Sequence, residues 1–277
     1  MTVLEAIISG VIFGFTYIFP VSDSGHFSII GNFFKYSTTY NGNMLYDALL
    51  RLCIIAAIIV VYWQECNIIL SDIIYAVNSR RLSGRDEEPN IGLRLGLMML
   101  FSCVPLLFMI PVRQYSDLLY SNSGYIGAAL ILNGLIVYIF DMLLPGKKSE
   151  KSITVLDVIL IGLCQCVGVF PGFSRIGILF TACAALGFKR SFSSRFVFLS
   201  TIFTLLGENI YSLVRAIIEG INWSAFPAYL LGMVCCILSS VAALSLMKKF
   251  ILKKPFRGFA FYCWILGVLT VILTLIF

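Results

Sequence analysis

"FPVSDSGH", Phe19–His26, interrupts an apolar segment near its middle. It holds a proline, a glycine, an aspartate, two serines and the single histidine of the chain. Proline removes a helical donor and glycine loosens the backbone, so a helix entering this stretch breaks there. A second stretch, "FPGFSRIG" (Phe170–Gly177), echoes it, with Pro171 standing 151 positions after Pro20. These stretches decide the fold. Either each broken segment is a full span with a kink, or each is a hairpin that enters and leaves on one face.

Composition sets the frame. Of 277 residues, 60% are hydrophobic and 12% charged, about half the charged share of a soluble domain. Apolar runs of about twenty residues, the length that crosses a bilayer core, recur along the chain. They do not alternate as β-barrel strands do. The fold class expected is an all-α polytopic membrane protein. The start, "MTVLEAIISG", has neither a basic region nor a small-residue cleavage site, so no removable signal peptide is expected. Nine cysteines lie almost wholly inside apolar runs, in spacings that suit neither zinc nor a disulfide framework. They read as small buried hydrophobes.

Full spans are expected near 44–63, 93–111, 124–144, 192–215, 226–247 and 258–277. The pieces on either side of Pro20 and Pro171 are too short to cross alone. With both broken segments returning to their own side, fifteen of the twenty Lys and Arg fall on one face. These include Arg80, Arg81, Arg85, Arg94, the lysines at 147, 148 and 151, and Lys248 to Arg257. Lys35, Arg113 and Arg215 fall on the other face, with Arg51 and Arg175 inside. The positive-inside rule makes the crowded face cytoplasmic. Making either broken segment a full span would scatter the cations. The net charge of +6 therefore marks membrane orientation, and no nucleic-acid partner is expected.

Three spans follow each hairpin, so the halves (about 1–146 and 147–277) are expected to be an inverted-topology repeat. Each half is a re-entrant helix pair plus three transmembrane helices. Such folds build their sites near the midplane, where broken helices meet. Ser22, Asp23, Ser24 and His26 would come from one turn, and Ser174 and Arg175 from the other. Gln165 precedes the second turn, and Asp47 and Arg51 open the first full span. Ionisable groups inside a membrane are costly and usually serve a cavity. Arg175 and Arg51 suit a phosphate through their planar forks of donors, and serine hydroxyls and helix N-termini add to this. His26 suits proton donation or nucleophilic attack, or is a hydrogen-bonded turn residue. Arg51 has a second reading as the partner of Asp47. Glu208 either reaches this site or pairs elsewhere in the bundle. The turns offer one carboxylate to a metal, Asp23.

These residues resemble those of the bacterial undecaprenyl-diphosphate phosphatases of the bacitracin-resistance type. "FPVSDSGH" is similar to that family's Pro-Val-Ser-Ser-Thr-Gly-His stretch, and "IGLCQCVGVFPGFSR" with "FPGFSRIG" to its Pro-Gly-Phe-Ser-Arg-Ser-Gly stretch. "RFVFLS" resembles a third segment. The resemblance covers essentially the whole chain. It implies the inverted-repeat fold and hydrolysis of undecaprenyl diphosphate to the monophosphate in recycling of the cell-wall lipid carrier. It also implies a divalent cation (Mg²⁺ or Ca²⁺), a bacterial cell-membrane location, a polyprenyl-phosphate lipid as partner and a homodimer as one assembly. Carried across by position, Arg175 would hold the diphosphate, with Ser22, Ser24, His26 and Ser174 near the phosphorus.

The chain departs from the pattern at the site itself. The family keeps two carboxylate or amide residues, spaced i, i+4, ahead of its first turn. Phe13 and Tyr17 stand there. Asp23 replaces a serine, Arg51 a glutamine and Phe203 a proline. The changes remove acid and add base, which favours anions over a metal. Three readings follow: a working phosphatase with Asp23 or Glu208 standing in, a non-hydrolytic binder or transporter of a lipid phosphate, or an inactive scaffold.

Overall fold

A computed structural model describes residues 1–34, 44–79, 91–221, 223–253 and 255–276. Among these, helices dominate and no named strand occurs. The helices are α1 (Val3–Ile18), α2 (Asp23–Phe34), α3 (Met44–Val61), α4 (Trp63–Ser79), α5 (Ile91–Phe101), α6 (Ile110–Leu118), α7 (Ser123–Met142), α8 (Val155–Val167), α9 (Arg175–Ala185), α10 (Arg190–Glu219), α11 (Phe226–Lys253) and α12 (Arg257–Ile276). Six helical stretches are long and apolar enough to cross a membrane. They coincide with the six spans expected from sequence. One is composite: α5 ends at Phe101, a 3₁₀ turn (Val104–Met109) carries Pro105 at its start, and α6 resumes.

Both motifs break their helices. α1 ends at Ile18 and α2 starts at Asp23, while α8 ends at Val167 and α9 starts at Arg175. The second segment returns to its own side. Lys148 N–H donates to Gly187 O at 2.9 Å, and Lys189 N–H donates to Lys148 O at 2.9 Å. The chain therefore enters α8 beside the place where it leaves α9. The first segment does the same at the opposite face. Tyr46, at the start of α3, donates its hydroxyl to Ala6 O at 2.6 Å near the start of α1. Asn32, near the end of α2, reaches Tyr120 O and Ser123 Oγ, where α7 begins. Two oppositely directed hairpins with three spans after each are consistent with an inverted repeat.

Several of the described cations tie helix ends together. Arg94 donates to Lys151 O and Ile153 O, Lys248 to Val61 O, and Arg190 lies 3.9 Å from Asp141. Arg257 N–H donates to the same Asp141. Lys35, Arg80, Arg81, Arg85 and Lys254, counted in the sequence reading, lie outside the described residues.

One element was not expected. Residues 63–79, which follow the first expected full span, form α4. It continues α3 through Cys66 N–H donating to Tyr62 O at 2.9 Å. Its Asp72 carboxylate accepts from Gly92 N–H at 2.9 Å, which holds α4 against α5. Ile68, Leu70 and Ile74 are more than half exposed. Mixed polarity hid a helix that packs on one face only.

Packing is closest where glycines face backbone. α1 and α11 meet at Gly10 and Gly232, and α7 and α12 meet at Gly127 and Gly267. Membrane helices associate through such small-residue contacts because lipid supplies no hydrophobic drive between them.

Candidate functional site

The two turns touch. Gly172 N–H donates to Ser24 Oγ at 3.1 Å. Asn133, fully buried on α7, clips both: its amide donates to Pro20 O at 3.2 Å and its oxygen accepts from Ser174 N–H at 2.8 Å. Buried amides need such partners, and here the requirement fixes one turn against the other.

The serines serve as caps. Ser22 accepts from Gly25 N–H at 3.1 Å and Ser174 from Gly177 N–H at 3.2 Å. Each opens the half-helix that follows, α2 or α9, and satisfies donors that a buried helix end would otherwise leave bare. Ser22 has φ 69°, the left-handed region. Side chains other than glycine rarely adopt it, and it persists only where surroundings over-determine it. Ser24 Oγ lies 3.1 Å from Ser22 Oγ.

A cavity lies beside the joined turns, lined by Tyr17, Asp23, Ser24, Arg51, Arg113, Asp117, Tyr120, Gly168, Val169, Phe173, Arg175 and Glu208. Arg175 is the first residue of α9, and Asp23 the first of α2. Arg175 is ion-paired with Glu208 on α10, and its Nη1 donates to Tyr17 Oη at 3.4 Å. Glu208 Oε2 lies 3.7 Å from Arg51 Nε. Arg51 Nη2 lies 2.7 Å from Asp47 Oδ2, and Nη1 donates to Ser212 Oγ at 2.7 Å. Arg51 therefore pairs with Asp47, its second reading, and it also lines the cavity. The network joins α3, α9 and α10, with Asp47 and Arg51 buried and Arg175 and Glu208 mostly so. Buried charges persist only when paired and hydrogen-bonded in this way.

A second hollow, lined by Met44, Asp47, Arg51, Arg113, Asp117, Tyr120, Tyr211 and Arg215, shares Arg51, Arg113, Asp117 and Tyr120 with the first. It leads towards the face where α3 and α7 begin. Arg113 stands over the Tyr211 ring, 4.5 Å from its centroid. A third hollow, about 390 Å³, is an apolar groove between the 3₁₀ turn and α6 on one side and α10 on the other. Leu106, Leu107, Ile110, Phe203, Ile210 and Val214 wall it, and Arg113 and Glu208 stand at its polar end. Phe203, where the resembling family has a proline, is part of this wall.

Four expected site residues are absent from the cavity lining: Ser22 and Ser174, which cap their helices, and His26 and Gln165. His26 does not line the cavity. Its Nδ1 donates to Ser22 O at 2.6 Å, and its Nε2 accepts from Tyr262 Oη at 2.6 Å. The rings stack 5.6 Å apart. This is the hydrogen-bonded turn residue weighed as its second reading, because the i, i+4 carbonyl captures the ring. Gln165 accepts from Thr204 Oγ1 at 3.2 Å and donates to Ser102 O at 3.4 Å. It ties α8 to the break after α5 and is absent from the cavity lining. Conversely, Arg113, Asp117, Tyr120 and Asn133 were missed, because the first three sit at the end of one composite span, where polar residues are ordinary, and Asn133 is one amide in an apolar helix. Glu208 carried the only signal, an acid in an apolar run.

A divalent cation does not fit this donor set. Hard cations take several oxygens. Glu208 already lies between two guanidiniums and Asp47 against one. Phe13 is fully buried, its ring 5.5 Å from Tyr17 and 5.9 Å from Phe27. Among the described residues, no group of three or more His, Cys, Asp or Glu converges.

Fold and site together define a multi-pass helical membrane protein with an ion-paired polar centre inside its bundle. The chain belongs to the bacitracin resistance protein BacA family, whose pattern matches residues 6–269. It is 24% identical to the undecaprenyl-diphosphatase of Halothermothrix orenii over 100% of both chains. It is 28% identical to that of Pelobacter propionicus, over 99% of this chain and 98% of the relative. The undecaprenyl-diphosphatase of Clostridium tetani is 26% identical, over 99% and 97%.

Proposed function

We propose that this chain binds a polyprenyl (di)phosphate in the bacterial cell membrane, with the headgroup in the arginine-lined cavity and the hydrocarbon tail in the apolar groove. The observation that carries this reading is that the two hollows share part of their walls. Arg113 and Glu208 line both the polar cavity and the groove. An amphiphile with a charged end and a long apolar chain matches that division. Arg175, Arg51 and Arg113 supply planar donor forks suited to phosphate oxygens. The N-termini of α2 and α9 add partial positive charge beside them.

Hydrolysis of undecaprenyl diphosphate, which the relatives' name describes, is the second reading. Family membership along nearly the whole chain favours it. In this chain Arg175 and Arg51 would hold the diphosphate. Tyr17 and Glu208 would orient Arg175, and Glu208 would be the acidic group nearest that guanidinium. No step is assigned to a metal, because the donors do not suit one.

The test is direct. Purified protein is given farnesyl or undecaprenyl diphosphate, with and without Mg²⁺ or Ca²⁺, and both binding and released phosphate are measured. Saturable binding that Arg175→Ala abolishes supports the binding reading. Phosphate release above background, lost in the same variant, establishes hydrolysis as well. Absence of any saturable binding overturns both.

A further inference from the structure

Glu208 stands where an anionic ligand would make its contacts. One carboxylate oxygen is paired with Arg175 and the other faces Arg51. The cavity lining carries Arg51, Arg113 and Arg175 against Asp23, Asp117 and Glu208. Formal charges therefore cancel, although the site is rich in guanidinium. An entering anion meets no net attraction until Glu208 gives way, and a phosphate beside an unmoved carboxylate suffers like-charge repulsion of several kcal/mol.

We propose that Glu208 is a resident counter-ion that sets specificity by headgroup charge. A ligand bearing two or more negative charges displaces it from Arg175 and Arg51, whereas a singly charged phosphodiester does not. This inference rests on the headgroup reading above. An exchange of one negative charge for another gains nothing electrostatically. Glu208 is tethered to the fold, while the lipid must give up translational and rotational freedom. A dianion leaves a surplus of attraction that offsets those costs. The displaced carboxylate keeps a cation nearby, because Glu208 and Arg113 share the wall of the groove. The arrangement discriminates against the commonest competitor in a bilayer, the monoanionic phospholipid, by penalising the wrong ligand.

Full-length protein in detergent is titrated with farnesyl diphosphate and with short-chain phosphatidylglycerol, as wild type, Glu208→Gln and Glu208→Asp. Wild type is expected to prefer the diphosphate. Glu208→Gln is expected to bind phosphatidylglycerol roughly ten-fold or more tightly than wild type, which narrows the preference. Glu208→Asp retracts the charge by one methylene and shifts the preference in the same direction by less, and it carries the test if the glutamine variant does not fold. A preference unchanged in the folded variants, with wild-type diphosphate binding intact, overturns the counter-ion role alone. Loss of diphosphate binding in Glu208→Gln also overturns it. Failure of wild type to bind either lipid overturns the headgroup reading and this inference with it.

Discussion

Glu208 on α10 pairs with Arg175 at the start of α9, and its second oxygen lies 3.7 Å from Arg51 on α3. Two consecutive helices and a third far away in sequence thus share one charge cluster. Removing one member of a buried pair strands the other, which costs about 3–5 kcal/mol, whereas removing both costs less. Arg175→Ala is expected to lower thermal stability more than the double variant Arg175→Ala/Glu208→Ala. Melting curves for the full cycle give the coupling. Equal losses in the single and double variants would show that Arg51 already neutralises Glu208 alone.

Asn133 holds Pro20 and Ser174 together. Asn133→Leu removes a donor and an acceptor and leaves buried partners unsatisfied, at about 1–3 kcal/mol for each group. The variant is expected to melt lower and to bind lipid phosphate more weakly. Asn133→Asp, which cannot donate to Pro20 O, is expected to lose comparably. Thermal unfolding monitored by tryptophan fluorescence checks both.

The two capping serines respond differently to glycine. Both lose a cap in the alanine variant, about 0.5–2 kcal/mol. At Ser22, with φ 69°, glycine also relieves backbone strain, so Ser22→Gly is expected to be more stable than Ser22→Ala. Ser174 has φ −91°, so glycine offers no such relief there. A larger Gly-over-Ala advantage at 174 than at 22 would contradict the strain.

Packing of α1 on α11 depends on absent side chains. A Cβ at Gly232 would lie 2.7 Å from Ala6 O, and one at Gly10 would press on the Gly232 backbone. Backbone cannot yield as a side chain does, so Gly10→Val and Gly232→Val are expected to separate the helices. Expression yield and a monodisperse profile in detergent report the outcome. A well-folded Gly10→Val protein would refute the contact.

His26 is bonded to Ser22 O and Tyr262, away from the cavity lining. His26→Ala is expected to leave lipid-phosphate affinity within about two-fold while lowering stability, as loss of a structural residue does. Isothermal titration with farnesyl diphosphate checks this. A loss matching that of Arg175→Ala would place His26 at the headgroup.

Much of the architecture was legible because the bilayer constrains it. Span length, the Pro-Gly breaks and the cation count led to six spans and two opposed hairpins. Helix α4 was not legible, since a helix that packs on one side and leaves the other exposed needs only a partial apolar stripe. Within the site, Arg175 and Asp23 were legible from the turns and Arg51 from its charge in an apolar run. Asn133, Tyr120 and Asp117 were not, since each is an unremarkable polar residue whose role depends on what stands opposite. The lone histidine and Gln165 were drawn to the site by proximity in sequence, but side-chain direction sends them elsewhere.

By itself, then, the sequence determined that this chain crosses a membrane repeatedly and breaks two helices inside it. Those follow from transfer free energies and backbone chemistry, which are local properties of each segment. Only the tertiary structure decided that Glu208 pairs with Arg175 beside the Arg51–Asp47 pair, that the serines cap helices, and that His26 faces Tyr262. Pairing between charges falls off over a few ångströms, so it depends on how distant helices pack, which no single segment encodes.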